Sequence, residues 1–484
     1  MKNIVIDIGA SSYRVMLSEF KDHKLTLKEI LRKKTLLFND GEFLRWNIIS
    51  MGDNILSAVK GIVDNEDDIE SVGVCSFGVD YVYLKKDGTL LDQPIAYRDK
   101  QNETYASLVL NMLTQDEIYH ETGIQFLPFN TIFQLYRDKK LGRSGEKFLM
   151  ISDYIAYLLT GETYNELTGL STGAFIDKNT LGLSELIFKR LQLNKSIMQP
   201  IKKPREVIGY LKSDISSKKI PFSPVNSHDT SSAVTSLNLK EDGSQAFLSC
   251  GSWALFGTKN LIFNTSFAAK NGNFTNELMD DGICFLKNIN GMYLINEIYR
   301  AMRERQPDLL FPLSVKEFKE EEETEIFLDV DHPLFANPEN ILRKLTFYLE
   351  KTEQAEANLT IEKLLNAFYK SLCFQVRQQK EKLEELNNHK IEEIYLVGGA
   401  VDIPIYIKYL SAALNTKVKA CFKEATAIGN AVTQMSSLKG VPPDEFRKSL
   451  EENGHFKVYE PDQKLKQKFE KDYERFKKLV EEGK

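Results

Sequence analysis

The sequence predicts an α/β protein of two large domains, and three observations carry that reading. Residues 3–20 read as a strand, a turn of small residues and a second strand. The same pattern restarts over 246–258, AFLSCGSWALFGT. Between the two, Pro200, Pro204, Pro221 and Pro224 concentrate chain breakers just before residue 225. The expected domains are therefore 1–223 and 224–484, the second including a charged helical tail over 439–484.

Taken in order, NIVIDI (3–8) is β-branched and apolar, as a buried strand is, and GASS (9–12) is its turn. RVMLSEF (14–20) is the returning strand, and KLTLKEILRKK (24–34) alternates as a third. In 53–63, Ile55, Val59 and either Ile62 or Val63 fall at helical spacing. SVGVCSFGVDYVYL (71–84) is again strand-like, interrupted at Gly78, and Lys86-Asp87-Gly88 marks a turn. Helices dominate 101–160; the clearest is FLMISDYIAYLLT, with Gly161 as its C-cap. EIYLVGG (393–399) is a buried strand ending in two glycines, with a helix following near 404–414. The tail is expected to be a solvated helical segment packing lightly on the second domain.

Composition narrows the function. The 484 residues are 42% hydrophobic and 27% charged, enough for a sizeable core. With 63 basic against 69 acidic residues the net charge is −6, which leaves no overall basic surface for nucleic acid. No stretch of about 18 uncharged apolar residues suggests a membrane span. The first residues lack the apolar core of a signal peptide. Five scattered cysteines without a CxxC pair argue against disulfides or a zinc site, and a reducing cytoplasm is the expected location. The six histidines show no ligand spacing, so any metal should arrive with a nucleotide.

Phosphoryl transfer needs phosphates and a metal held in place, a base near the attacking hydroxyl, and little water. Four segments offer those parts. In Asp7-Ile8-Gly9-Ala10-Ser11-Ser12-Tyr13-Arg14, a carboxylate at a strand end stands beside small residues whose backbone N–H groups and hydroxyls can approach phosphate. A plain hairpin turn is the bland alternative. In Asn226-Ser227-His228-Asp229-Thr230, Asp229 is the candidate base, although Asp before Thr-Ser-Ser also reads as a helix N-cap. Gly251 and Ser252 of Ser249-Cys250-Gly251-Ser252-Trp253 can form a second phosphate-contacting turn; the alternative is a hairpin turn with Trp253 in the core. Gly398-Gly399 lets a nucleotide approach the backbone closely, as do many ordinary strand-to-helix turns.

These pieces come in an order that resembles the FGGY carbohydrate kinases of the actin-like ATPase superfamily, over nearly the whole chain from Ile4 to about Ala431. VIDIGASSYRVML is similar to that family's opening phosphate loop. FGVDYVYL and QPIAYRD resemble its first sugar-side segment, and GIQFLPFNTIFQL (123–135) is the most specific match, pointing to the branch acting on L-rhamnulose. SDYIAYLLTGE, SHDTSSAV, KNINGMYLI and EATAIGNA continue the likeness. The resemblance implies two actin-like (ribonuclease H-like) domains with a catalytic cleft between them, sugar mainly on the first and ATP mainly on the second. It implies transfer of the ATP γ-phosphoryl group to the carbon-1 hydroxyl of L-rhamnulose. Residue by residue, Ala10, Ser11, Ser12, Tyr13, Arg14, Ser252, Asn296 and Gly399 would contact ATP. Asp7 would face Mg2+, through water. Gly78, Asp80, His228, Asp229, Thr230 and Asn288 would meet the sugar, with Asp229 as the proton acceptor.

Some positions depart from the family pattern. Tyr13 stands where a glycine is usual in the phosphate loop, and Phe77 replaces a tryptophan. Ser252 replaces threonine and Asn296 glutamine. Ala400, Val401, Asp402 and Ile403 replace a further glycine and the Gln-Asn after it, which bears on nucleotide affinity and choice. The expected partners are sugar and ATP alone, for a monomer or small homo-oligomer. The alternatives are a kinase for a related ketose (L-fuculose, L-xylulose or L-ribulose) or a sugar-binding sensor without turnover.

Overall fold

A computed structural model describes residues 1–308, 317–335, 339–357, 359–454 and 456–482. The chain forms two compact units. One comprises Met1–Asn238, Asn260–Phe285 and Ala425–Gly454; the other comprises Leu239–Lys259, Leu286–Glu424 and His455–Lys484.

In the first unit the strand Lys2–Ile8 pairs antiparallel with Ser12–Lys21, which pairs antiparallel with Lys24–Lys34. On its other edge Lys2–Ile8 runs parallel to Ile69–Ser76, within a six-stranded sheet. Strand alternation decides what each face carries. Ile4, Ile6 and Ile8 join the core built with the helices Ile48–Asn65 and Ile151–Thr160. Val5 points the other way and packs on Ala427 and Ala431 of the helix Ala425–Lys439. Asn430 and Gln434 of that helix donate to the carbonyls of Ile6 (3.4 Å) and Ile4 (3.0 Å). A second apolar cluster of this unit lies around Phe133, Phe148, Phe175 and Phe188.

The second unit repeats the plan. Gln245–Cys250 pairs antiparallel with Trp253–Asn260 and parallel with Glu393–Val397, which runs parallel to Lys417–Ala420. The likeness between residues 3–20 and 246–258 is thus one of topology. The 27-residue helix Ile361–Asn387 carries the core of this unit. Phe374 meets Phe469, Tyr473 and Phe476 of the helix Gln463–Glu482 at ring distances of 5.4, 5.6 and 5.7 Å.

The compact units divide at 238/239, beside the 223/224 boundary expected from the sequence, and Asn260–Phe285 and Ala425–Gly454 return to the first unit. The reason is packing: the helix Asp229–Thr235 lies on Ala425–Lys439, where a Cβ at Gly429 would sit 1.7 Å from the Ser232 carbonyl oxygen. The prolines lie in or beside short strands and in loops. One expectation is corrected: the tail does not pack lightly. Phe469, Tyr473 and Phe476 are buried, and Lys370 pairs with Asp472 at 3.3 Å inside the second unit.

Candidate active site

The site in the first unit is built at the carboxyl ends of its parallel strands, where α/β sheets place ligands. Lys2–Ile8 and Ile69–Ser76 end side by side, and Ser227–His228 continues the row: the Ser76 N–H donates to the Ser227 carbonyl at 2.8 Å. Alternation turns Asp7 to the face covered by Ala425–Lys439, the face that also carries Cys75. Asp7 is buried, and Arg14, across the hairpin, approaches it at 3.4 Å. Burial first, then the charges of Asp7 and Asp229, push the Cys75 thiol well above its usual range. The negative charge of both Asp7 and Asp229 thus reaches the Cys75 thiol.

Asp229 opens the helix Asp229–Thr235, and the N-cap position is His228, without a side-chain cap bond. The N-cap reading of Asp229 is therefore replaced: its carboxylate is free of capping duty, and its side chain is 31% exposed. Burial raises its affinity for a proton, opposed by the neighbouring His228. His228 itself stands between two carboxylates, Nε2 at 3.4 Å from Asp229 Oδ1 and Nδ1 at 3.1 Å from Glu277 Oε2. Burial disfavours the imidazolium, but Glu277, Asp229 and Glu166 outweigh it and lift His228 to about 9. Thr230 is buried, its hydroxyl 3.4 Å from Asp229 Oδ1. Underneath, Glu166 accepts from the Ser227 N–H at 3.2 Å, the Ser227 hydroxyl, and the N–H groups of Thr168 and Gly169 at 2.9 Å each.

Gly78 and Asp80 stand on a strained turn. Val79 holds φ at 67°, unusual for a β-branched residue, and its N–H donates to Thr172 Oγ1 at 3.0 Å. Its carbonyl accepts from the Thr131 hydroxyl at 2.7 Å. A Cβ on Gly78 would lie 2.7 Å from Thr172 Oγ1. Asp80, expected to meet the sugar, is 0% exposed, with its carboxylate engaged by protein donors. Oδ2 accepts from Trp46 Nε1 (2.6 Å) and the Tyr97 N–H (2.8 Å), and Oδ1 from Gln134 Nε2 (2.9 Å). Asp80 is a strut that ties three segments behind the turn. GIQFLPFNTIFQL serves the same end through Thr131 and Gln134. Phe77 packs on Trp46 and Tyr97 at ring distances of 5.0 and 6.0 Å, within an aromatic wall that Phe129 extends from Tyr97 at 5.2 Å.

In the phosphate-loop candidate, Gly9 closes the turn with its N–H on the Ser12 carbonyl at 3.0 Å, leaving Ser11 exposed. Ala10 packs partly on the core. Tyr13 does not block the loop: its ring is buried and its hydroxyl accepts from Asn54 at 3.0 Å. The Tyr13 side chain is thereby turned away from solvent.

The second unit gathers its own set of glycines. A Cβ on Gly398, at φ 87°, would meet the Cys250 carbonyl at 2.8 Å, and one on Gly291 would lie 2.8 Å from the Gly251 carbonyl. The Ser252 carbonyl accepts from the Gly291 and Tyr293 N–H groups at 3.1 and 3.2 Å. Gly251 and Gly399 open onto free space, Asn296 is exposed, and Trp253 is 37% exposed rather than in the core. Asn288 has a buried Oδ1 without a partner among the described residues. Ala400 is turned into the core, and Asp402 pairs with Lys423 at 2.6 Å on the surface. Among the described residues no group of three or more His, Cys, Asp or Glu side chains is arranged to hold a metal. No helix of these residues is long and apolar enough to cross a membrane.

Sequence reasoning missed Glu277, Glu166 and Gly429. A glycine inside the helical pattern EATAIGNA was the one available signal, for close packing. An isolated Glu in a short strand carries none.

The comparisons with known proteins concern the family and the fold. The pattern of the "FGGY family of carbohydrate kinases, N-terminal domain" matches residues 3–235, and that of the C-terminal domain matches residues 246–438. A rhamnulokinase of Ligilactobacillus salivarius is 31% identical over 480 residues, 98% of both chains. One of Bacillus subtilis is 32% identical over 465 residues, 94% of both chains, and one of Bacteroides thetaiotaomicron 31% over 439 residues, 89% of both. Among solved structures, a xylulose kinase of Lactobacillus acidophilus superposes with a TM-score of 0.74 at 15% identity, covering 99% of this chain and 97% of its own. Plasmodium falciparum glycerol kinase with ADP superposes at 0.76 and 16% identity, covering 98% and 97%. These two likenesses concern the fold.

Proposed function

The chain belongs to the FGGY family of carbohydrate kinases and is an ATP-dependent phosphotransferase acting on a sugar; from that premise we propose that it phosphorylates the carbon-1 hydroxyl of L-rhamnulose. The observation that carries the substrate is the near-full-length likeness to three rhamnulokinases at 31–32% identity. The observation that carries the chemistry is Asp229, a carboxylate with an exposed edge at the ends of the parallel strands.

In this reading the sugar lies against Gly78, the aromatic wall, His228 and Thr230, with Asn288 supplying a further contact. The carbon-1 hydroxyl attacks the γ-phosphorus, a new O–P bond forms, the bond to the bridging oxygen of ADP breaks, and Asp229 accepts the hydroxyl proton. Backbone N–H groups of Ala10 to Tyr13, the Ser11 and Ser12 hydroxyls and Arg14 hold phosphate oxygens. Ser252, Asn296 and Gly399 meet the rest of the nucleotide. Asp7 suits a Mg2+ ion that keeps its own waters and the nucleotide's phosphates, because one buried carboxylate at a strand end is what such an ion asks of a protein. When bound, it would neutralise charge on the transferring group.

The test is Asp229→Asn. We expect kcat to fall by at least about 10²-fold with sugar binding retained, because removing a general base costs that much while the carboxamide keeps the shape. A folded Asp229→Asn protein with near-normal kcat would remove Asp229 from the role.

A further inference from the structure

We propose that Glu277 is a positioning residue for this reaction: it anchors the His228 ring, with Nε2 toward Asp229, as the fixed cationic neighbour of the base. The inference rests on Asp229 being that base.

Glu277 lies in the strand Thr275–Met279, every residue of which is buried. A carboxylate there is costly unless it has a partner, and no lysine or arginine pairs with it among the described residues. The cation it faces is His228, Nδ1 to Oε2 at 3.1 Å. The approach is off the line of a good hydrogen bond, and neither atom has another partner among the described residues. The two atoms therefore serve each other. The strand is tied to the helix of Asp229 itself: the Ser231 hydroxyl donates to the Leu278 carbonyl at 2.8 Å. Its other ties are the Leu278 N–H on the Ser171 hydroxyl at 3.1 Å, and Asn276 Nδ2 on the Gly123 carbonyl at 2.8 Å. Glu277 is thus aimed at His228 by a strand that moves with Asp229.

The charged and titratable groups facing His228 are Glu277 on this strand, Glu166 ahead of the helix Leu167–Ser171, and Asp229 on its own helix. The charge of Asp229 also reaches Cys75 and Tyr97, opposing the ionisation of both. With Glu277 neutralised, burial prevails and His228 loses its proton near neutral pH. Asp229 then loses the cation that held its proton affinity down; the repulsion from Glu277 lost with it is the smaller effect. Asp229 should stay protonated to higher pH.

The experiment compares wild type, Glu277→Gln, Glu277→Asp and Asp229→Asn, each checked for folding. It reads kcat/KM across pH and the His228 ring state by NMR, with His228→Asn to assign the signal. Glu277→Gln should lower kcat by about tenfold to a hundredfold, the scale of a misplaced catalytic group. It should also move the acid limb of kcat/KM upward and bring the His228 titration to or below neutrality. Glu277→Asp keeps the charge on a shorter arm; it should lower kcat yet leave the acid limb in place, and it decides the matter if Glu277→Gln does not fold. A folded Glu277→Gln enzyme with wild-type kcat, acid limb and His228 titration overturns the proposal, provided Asp229→Asn is inactive. An active Asp229→Asn enzyme overturns the base assignment instead.

Discussion

Asp80 holds the Trp46 indole, the Tyr97 backbone and the Gln134 amide at once, with no surface of its own. Burial raises its carboxyl to about 6, and the three donors limit that rise. Asp80→Ala should destabilise the protein by about 3 kcal/mol, because buried donors lose their acceptor, and weaken sugar binding indirectly; thermal unfolding and sugar titration would measure both. His228 gives a prediction with a definite sign. Its folded value, about 9, lies above the ordinary 6.5, so its contribution is complete below pH 6.5 and disappears as pH rises through 9. The stability gap between wild type and Glu277→Gln should therefore be widest near pH 6, up to about 3 kcal/mol, and close towards pH 10. Denaturant unfolding at the two pH values reads it. The sequence marked Asp7 as a carboxylate at a strand end beside a turn of small residues and Asp229 within the polar run Asn226–Thr230, while His228 was marked only by the family resemblance. It could not reveal Asp80 as a strut, since the donors at 46, 97 and 134 are brought together only by folding.

Elements were legible where periodicity is strong. The opening hairpin, the strand Glu393–Val397 and the helix Ile151–Thr160 with Gly161 at φ 82° follow from alternation, apolar runs and a C-cap glycine, although Phe148, Leu149 and Met150, read into that helix, belong to the strand Lys147–Met150. The pairing of Asp229–Thr235 with Ala425–Lys439 was not legible, because it joins segments some 200 residues apart through one glycine. Gly429→Ala tests that crossing. A Cβ 1.7 Å from the Ser232 carbonyl must push the helices apart, at a cost of about 1–3 kcal/mol or more. Since Thr426 also touches the Asp229 carbonyl at 3.4 Å, kcat should fall along with stability. A variant that keeps wild-type kcat would show that Asp229 tolerates the shift. Gly399, with open space around it, should accept alanine without loss of stability, so any rise there in the ATP KM reports on the nucleotide alone.

At the scale of the molecule, the sequence displayed two α/β domains because each opens with the same strand-turn-strand pattern. It did not display that the first unit is finished by residues from the end of the chain. A chain ended at Glu424 would uncover Val5 and Met16 and remove the amides that cap the Ile4 and Ile6 carbonyls. Such a chain should lose sugar binding although every proposed sugar contact remains in it. The proposed action on L-rhamnulose is tested by one measurement: ADP release with ATP and Mg2+ on L-rhamnulose, beside L-fuculose, L-xylulose and L-ribulose, scored as kcat/KM. The highest kcat/KM is expected on L-rhamnulose, with that activity abolished in Asp229→Asn. A higher kcat/KM on another of these sugars, or no ADP release on any of them from folded protein, would contradict it.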